Sequence, residues 1–132
     1  MRTRTIAAMI LSALLLPTLP ACTNSASAGK GDTTASFNKA TGNLTATTDA
    51  SLDNAFAAAK QAMNDMGYST EKASQDALKG VITAREADGG RIDVTLERMA
   101  DRVTEIEVSV GPFGNEAKAR MILDKLLARL GR

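Results

Sequence analysis

The sequence predicts an α+β fold, a two-layer sandwich in which two helices cover one face of a mainly antiparallel, four- to five-stranded sheet. Apolar and polar residues alternate in several short runs, as in strands with one buried face. Two longer stretches have apolar residues at three- and four-residue spacing, as in helices with one buried face. The elements follow the order β-α-β-β-β-α. Because each strand has one polar face, we expect both helices on the opposite face.

The first 21 residues have the three parts of a secretory signal. Two arginines come first, the run 6–16 is apolar except for one serine, and Leu19-Pro20-Ala21 precedes Cys22. As a helix, the apolar run would span about 16 Å, roughly half of a ~30 Å hydrocarbon core. We therefore interpret the segment as a signal peptide, with a buried core helix as the alternative.

Cys22 is the only cysteine of the chain. Leu19, Pro20 and Ala21 before it resemble a lipobox, the processing site of bacterial lipoproteins, although proline is less usual at its position. We predict that Cys22 becomes the acylated first residue of the mature protein. The alternative is a free buried cysteine, which would be a liability in an exported chain. Two or more acyl chains hold a protein on a bilayer for practical purposes permanently.

The predicted localisation is the outer membrane, facing the periplasm. Thr23, and not an aspartate, follows the cysteine. By resemblance to Gram-negative lipoproteins, this favours the outer over the inner membrane. Placement in the inner membrane or on the cell surface stays open.

The chain divides into three predicted segments. Residues 1–21 are the signal peptide, 22–42 the acylated cysteine with a flexible tether, and 43–132 the α+β domain. The tether is predicted because the residues after Cys22 are small and polar, without a period. Around Phe37 a short edge strand is also possible, with Thr41-Gly42-Asn43 as the turn into the next strand.

The first half of the domain is predicted as a strand and a helix. Leu44, Ala46 and Thr48 alternate with threonines in the strand. Ser51 caps the helix and Gly67 ends it. Its methionines are interpreted as core, and not as an adaptable partner groove, because they continue its apolar face. That face is formed by Leu52, Phe56, Ala59, Met63 and Met66.

Further strands are predicted at 68–73, at 78–85 with Leu78, Ile82 and Ala84 facing inward, and at 92–97 with Ile92, Val94 and Leu96 facing inward. Asp88-Gly89-Gly90 joins the last two as a hairpin. If these three residues form the loop, the facing pairs are Ala84 with Val94, Ile82 with Leu96, Arg85 with Asp93, and Thr83 with Thr95.

The last strand and helix close the domain. Ile106, Val108 and Val110 are predicted to face inward, and Glu105 and Glu107 outward. Asn115 caps the final helix. Its apolar stripe is Ala119, Ile122, Leu123, Leu126 and Leu130.

Several local motifs resemble a family of small bacterial lipoproteins known only as a domain of unknown function. The resemblance covers roughly residues 36–130 and implies an exported, lipid-anchored protein with no established activity or cofactor. It supplies no catalytic residues. The motifs are Ser51-Leu52-Asp53, Ile82-Thr83-Ala84-Arg85, Ala87-Asp88-Gly89, Val103-Thr104-Glu105 and Gly111-Pro112-Phe113-Gly114-Asn115-Glu116-Ala117.

An enzyme is the least supported class of function. The chain has no histidine, and its one cysteine is assigned to acylation, so a zinc site of histidine and cysteine ligands is excluded by composition. Glu105 and Glu107 share a face and are a conceivable acid–base pair, but a solvated face is the simpler interpretation. No catalytic, metal or cofactor-binding residue is therefore predicted.

The sequence also bears on nucleic-acid and anion binding. The net charge is close to zero, at +1 for the whole chain, which predicts no nucleic-acid partner. Backbone N–H groups in Phe113-Gly114-Asn115 could bind an anion at the helix start, although a plain capped turn is the simpler interpretation.

The leading hypothesis is a lipid-anchored envelope lipoprotein of unknown activity, a non-enzymatic structural or interaction module. Its partners would be the membrane, through acyl chains on Cys22, and an envelope protein. The alternative is a periplasm-facing lipoprotein that binds a small ligand between the sheet and the helices.

Overall fold

The computed structural model describes residues 33–131. The predicted signal peptide and Leu19, Pro20, Ala21 and Cys22 lie outside the described residues. The described chain forms β1 (Ala35–Asn38), β2 (Asn43–Thr48), α1 (Leu52–Asp65), β3 (Ser69–Gln75), β4 (Lys79–Arg85), β5 (Arg91–Ala100), β6 (Val103–Val110) and α2 (Glu116–Arg129).

The six strands form one open antiparallel sheet in the order β1-β2-β6-β5-β4-β3. The helices contact each other and the sheet, α1 over β3 to β6 and α2 over β2 and β6. The α+β class and the antiparallel sheet are therefore confirmed. The predicted strand number of four to five is wrong, because the sheet has six.

The core lies between the helices and one face of the four central strands. In register, Leu44 of β2 faces Val108 of β6, Val108 faces Val94 of β5, and Val94 faces Ile82 of β4. All four side chains are fully buried. The predicted inward residues of β2, β5 and β6 are confirmed, since these strands bury alternate positions as the period of two requires.

The two edge strands, β1 around Phe37 and β3 in place of the strand predicted at 68–73, are the ones with the weakest sequence patterns. β1 is only four residues long and lies within 22–42, the range predicted as a tether. Every residue of β3 is exposed, so this strand has no alternation of apolar and polar residues. A very short edge strand, such as β1, and a charged, polar one, such as β3, both protect a sheet against edge-to-edge association. Both also leave a weak pattern in the sequence.

The predicted register of the β4–β5 hairpin is wrong by two residues. Ala84 faces Ile92, and Thr83 faces Asp93, donating its hydroxyl hydrogen to the carboxylate at 2.8 Å. The loop is Glu86–Gly90, closed by the N–H of Glu86 donating to the carbonyl of Gly90 at 2.8 Å. A shift of two leaves every side chain on its predicted face, so face patterns could not detect it.

Leu78 does not face the core as predicted. It lies in the turn before β4 and is 67 % exposed. Gly80 takes the buried position instead, against the ring of Phe56: a Cβ atom on Gly80 would lie 2.6 Å from Phe56 Cδ2. The aromatic ring therefore needs the space that a side chain at position 80 would occupy.

Both predicted helix caps are present. Ser51 Oγ accepts the N–H of Asn54 at 3.3 Å, and Asn115 Oδ1 accepts the N–H of Lys118 at 3.0 Å, so each satisfies an amide left free at a helix start. Over residues 33–131, neither helix has the length and apolar character needed to cross a membrane.

Two buried threonines that face each other across β2 and β6 allow a matched test of the core. Thr104 donates its hydroxyl hydrogen to the carbonyl of Ala50 at 2.8 Å, whereas Thr48 Oγ1 has no hydrogen-bond partner among residues 33–131. We expect Thr104→Val to lower the free energy of unfolding by about 1–3 kcal/mol, because the buried carbonyl loses its donor. Thr48→Val should leave it unchanged or raise it. Urea denaturation of both variants is the measurement, and equal losses would contradict the assignment.

Candidate functional site

The open face of the sheet brings together the two glutamates that the sequence singled out. Glu105 and Glu107 of β6 line a shallow depression of about 100 Å³ with Glu97 and Thr95 of β5 and Lys79 of β4. Lys79 Nζ lies 3.2 Å from Glu97 Oε1, with both side chains about half exposed. The depression is thus a solvated carboxylate cluster with one lysine counterion.

The described residues contain no group of three or more histidine, cysteine, aspartate or glutamate side chains placed to hold a metal ion. The carboxylates of the open face point away from the apolar core, because odd-numbered positions of β6 face the other way from its buried ones. Nothing in this geometry assigns an acid–base role to Glu105 and Glu107.

Three loops meet at one end of the sheet, which we call the Phe113 end: residues 39–42, 86–90 and 111–115. Asn43 pairs with Ser109, and Ile92 pairs with Val110, which places these loops at the same end. Phe113 is 91 % exposed there. An aromatic side chain so open to solvent does not contribute to the core and is available for contact with a partner.

The backbone holds the loop of Phe113 on both sides. Gly111 donates its N–H to the carbonyl of Arg91 at 2.8 Å. Gly42 and Gly114 both have φ of +74°, and their backbones touch: a Cβ on Gly42 would lie 2.8 Å from Gly114 Cα. Only glycine permits both this conformation and this approach. Phe113 is therefore presented on a fixed loop.

Sequence reasoning identified this turn as a helix start but did not recognise the exposure of Phe113. The available signal was an aromatic residue between glycines, outside the periodicity of either neighbouring element. In this turn, whose backbone was the less favoured candidate for binding an anion, the Asn115 side chain accepts the N–H of Lys118 at 3.0 Å, so one amide of the helix start is already satisfied. The structure thus shows the simpler interpretation, a capped strand-to-helix turn.

A polar cluster fixes the β4–β5 loop to α2 beside the Phe113 end. Lys118 Nζ lies 2.7 Å from Glu86 Oε2 and 2.8 Å from Glu86 Oε1, and the Glu86 side chain is only 12 % exposed. Burial, followed by the charge of Glu86, raises the pKa of Tyr68, while Lys118 opposes the shift. The same contacts raise the pKa of Lys118, chiefly through its hydrogen bond to Glu86.

A groove of about 420 Å³ lies between the end of α1 and the outer side of α2. It is lined by Met66, Met121, Asp124, Lys125 and Ala128, and Met121 is 59 % exposed. Met63 is fully buried, which confirms its assignment to the core, but Met66 lies at the edge of this groove. Nearby, Arg129 forms an ion pair with Asp65, which ties the last turns of the two helices together.

Comparison with known proteins gives a family and no activity. Residues 5–128 match the family described as "Protein of unknown function (DUF3568)". This confirms the domain of unknown function that the resemblance implied, whereas its bacterial, lipid-anchored character stays a prediction. The comparison with curated proteins finds no match.

The polar cluster predicts a specific titration, because Tyr68 is the only tyrosine of the chain. Its tyrosinate absorbance should titrate above the ordinary value of 10.0. The stabilisation linked to this shift is present below pH about 10 and is lost as the pH rises through the raised pKa. Glu86→Gln should lower the pKa of Tyr68 without restoring its ordinary value, since burial is the larger cause. Asp88→Asn, a weaker influence on Tyr68, is the matched control. A pKa of Tyr68 that responds more to Asp88→Asn than to Glu86→Gln would contradict the assignment.

Proposed function

The chain belongs to the DUF3568 family of proteins of unknown function, and from its own residues we propose that it is a lipid-anchored lipoprotein of the bacterial envelope. In this proposal, acyl chains on Cys22 hold it in the outer membrane with its domain facing the periplasm. The folded domain acts as a structural or interaction module and not as an enzyme.

One observation carries the proposal: the only cysteine of the chain directly follows Leu19-Pro20-Ala21, shortly after a short apolar run. A charged start, an apolar stretch and small residues before the cleavage point define an exported chain. In that setting a single cysteine that has no second cysteine to pair with within the chain is well explained by acylation. Two acyl chains then supply the membrane affinity, at about 0.8 kcal/mol for each buried methylene.

The position of the fold along the chain supports this arrangement. The sheet begins at Ala35, close behind Cys22. Even fully extended, the chain between these residues spans at most about 45 Å. An anchor at Cys22 therefore keeps the domain next to the bilayer that holds it, which suits a module that acts at the envelope.

Phe113 is the side chain that we assign to contact with an envelope protein. It is exposed, aromatic and held on a fixed loop. Aromatic residues dominate the binding energy of many protein interfaces, and a pre-ordered loop loses little conformational entropy on binding.

The alternative function, a small ligand bound between the sheet and the helices, receives less support. That layer is filled by buried side chains of both helices and the sheet, among them Leu52, Met63 and Ile122. A ligand there would have to displace them. If such a ligand exists, it raises the apparent stability by mass action, which a thermal-shift screen would detect.

The anchor is tested by metabolic fatty-acid labelling of the full chain in bacterial cells. We expect label on the wild type and none on Cys22→Ser, because the sulfur atom is the site of attachment. Intact mass should show loss of residues 1–21 from the wild type. Thr23→Ser, which leaves the acceptor in place, is the matched control. An unlabelled wild type that keeps Met1 would contradict the proposal.

The partner contact is tested by photo-crosslinking in intact cells, with a benzophenone side chain in place of Phe113. We expect a defined adduct from position 113 and none from the same group at Met121, which is exposed on α2. The adduct should disappear in Cys22→Ser, which lacks the acyl chains that place the domain at the outer membrane. Equal yields from both positions would show random collisions and contradict the assignment to Phe113.

A further inference from the structure

The end of the sheet opposite Phe113 also carries exposed apolar side chains. Leu78 is 67 % exposed in the turn before β4, and Met99 is 61 % exposed near the end of β5. The N–H of Arg98 donates to the carbonyl of Leu78 at 2.8 Å, so the two turns lie side by side. We call this region the Leu78 end: residues 33–34, 76–78 and 98–102.

Both apolar residues are fixed by the backbone around them. Asp76 Oδ1 accepts the N–H groups of Leu78 and Lys79, each at 2.8 Å, and this closes the turn. The pairing of β5 with β6 skips position 99, since the register moves from Arg98 with Thr104 to Ala100 with Val103. Such a bulge re-aims a side chain at the end of a strand. Leu78 and Met99 are thus held outside the core.

The described chain starts toward this same end. Ala35 of β1 pairs with Ala46 of β2, and two residues further along β2, Thr48 pairs with Thr104, beside the β5–β6 turn. Because β1 and β2 are antiparallel, residues 33–34 continue from Ala35 toward the Leu78 end. The segment that leads back to Cys22 therefore leaves the domain at the Leu78 end and not at the Phe113 end.

We propose that the Leu78 end rests on the lipid surface that holds Cys22, with Leu78 and Met99 inserted at the boundary between headgroups and acyl chains. The proposal rests on the lipid anchor proposed above. It gives the domain a fixed orientation, in which the Leu78 end faces the bilayer and Phe113 points away from it.

The reach of the connecting chain favours lipid as the occupant. The chain from Cys22 to Ala35 spans at most about 45 Å. From β1 to β4 the sheet spans four strand spacings, about 19 Å at ~4.8 Å each. The whole Leu78 end therefore lies within reach of the anchored bilayer. A surface tethered so closely is present at high effective concentration, whereas a free protein partner has no such advantage.

The charges at the Leu78 end do not oppose this contact. Arg98 and Arg102 lie beside Met99, and the carboxylates at this end are Asp76, Asp101 and Asp49 of the adjoining β2–α1 connection. Such a mixed surface is neither strongly drawn to nor strongly repelled by anionic headgroups, so the two apolar side chains determine which part of the end enters the lipid.

The test uses protein that bacterial cells produce from the full-length chain, purified and reconstituted with vesicles of phosphatidylethanolamine and phosphatidylglycerol. Leu78→Cys, Met99→Cys and Phe113→Cys are each labelled with an environment-sensitive fluorophore, which reacts only at the new position because the sulfur of Cys22 carries lipid. We expect the emission at 78 and 99 to shift to shorter wavelength and to be lost when spin-labelled phospholipid is added. The label at 113 should keep the emission it has in water, and circular dichroism confirms that each variant is folded.

Flotation of the vesicles separates the two proposals. Protein that does not float lacks the anchor, and this outcome contradicts the proposed function itself. Protein that floats while the labels at 78 and 99 behave like the label at 113 overturns the orientation alone. A lipid signal at only one of positions 78 and 99, or at 113 in their place, also contradicts the two-point contact.

Discussion

The apolar face shared by the four central strands determines the rest of the structure. Across β2, β6, β5 and β4, cross-strand rows of buried residues join Leu44, Val108, Val94 and Ile82 in one line and Ala46, Ile106, Leu96 and Gly80 in the next. Burying such residues provides most of the driving force for folding, at roughly 25 cal/mol for each Å² of apolar surface. The helices must lie on this face, which leaves the polar face, the edges and the two ends open for function. At Gly80 in the second row, the ring of Phe56 occupies the space that a side chain would need. Because Phe56 belongs to α1, the small residue at position 80 helps to position this helix on the sheet.

The same face explains which parts of the fold could be predicted from the sequence. Burial imposes the period of two on β2, β5 and β6 and the helical period on α1 and α2, and these elements were found with their caps at Ser51 and Asn115. The exposed edge strands β1 and β3 bury little, so they leave only a weak pattern. The sequence pattern defines the pairing of β4 with β5 only to within a shift of two residues, because such a shift leaves every side chain on the same face of the sheet. The observed register goes with a loop of Glu86–Gly90, two residues longer than the predicted one and closed by the N–H of Glu86 donating to the carbonyl of Gly90.

The candidate sites also differ in how far the sequence alone can identify them. Cys22 and the residues before it form a local motif, so the sequence suffices to propose them. The Phe113 end and the Leu78 end exist only through topology, because each is assembled from segments far apart in the chain, such as 39–42 with 111–115. Leu78 even gave a misleading local signal, since it continues the alternation of Ile82 and Ala84 while the strand begins one residue after it. An apolar residue that fits a strand pattern but lies in a turn can be recognised only once the turn is known.

In the proposed arrangement, the energies involved give different tasks to the anchor and to the Leu78 end. Fully burying a leucine or methionine side chain contributes about 1.5–3 kcal/mol, and Leu78 and Met99 are already partly covered. Together they cannot hold a protein on a bilayer, whereas two acyl chains can. They are sufficient, however, to select among orientations of a domain that is already held there, since about 1.4 kcal/mol changes a population ratio tenfold. Because the β-sheet is rigid and its ends lie opposite each other, fixing the Leu78 end also fixes Phe113. The few apolar side chains left outside the core can therefore define which surface the domain turns away from the membrane.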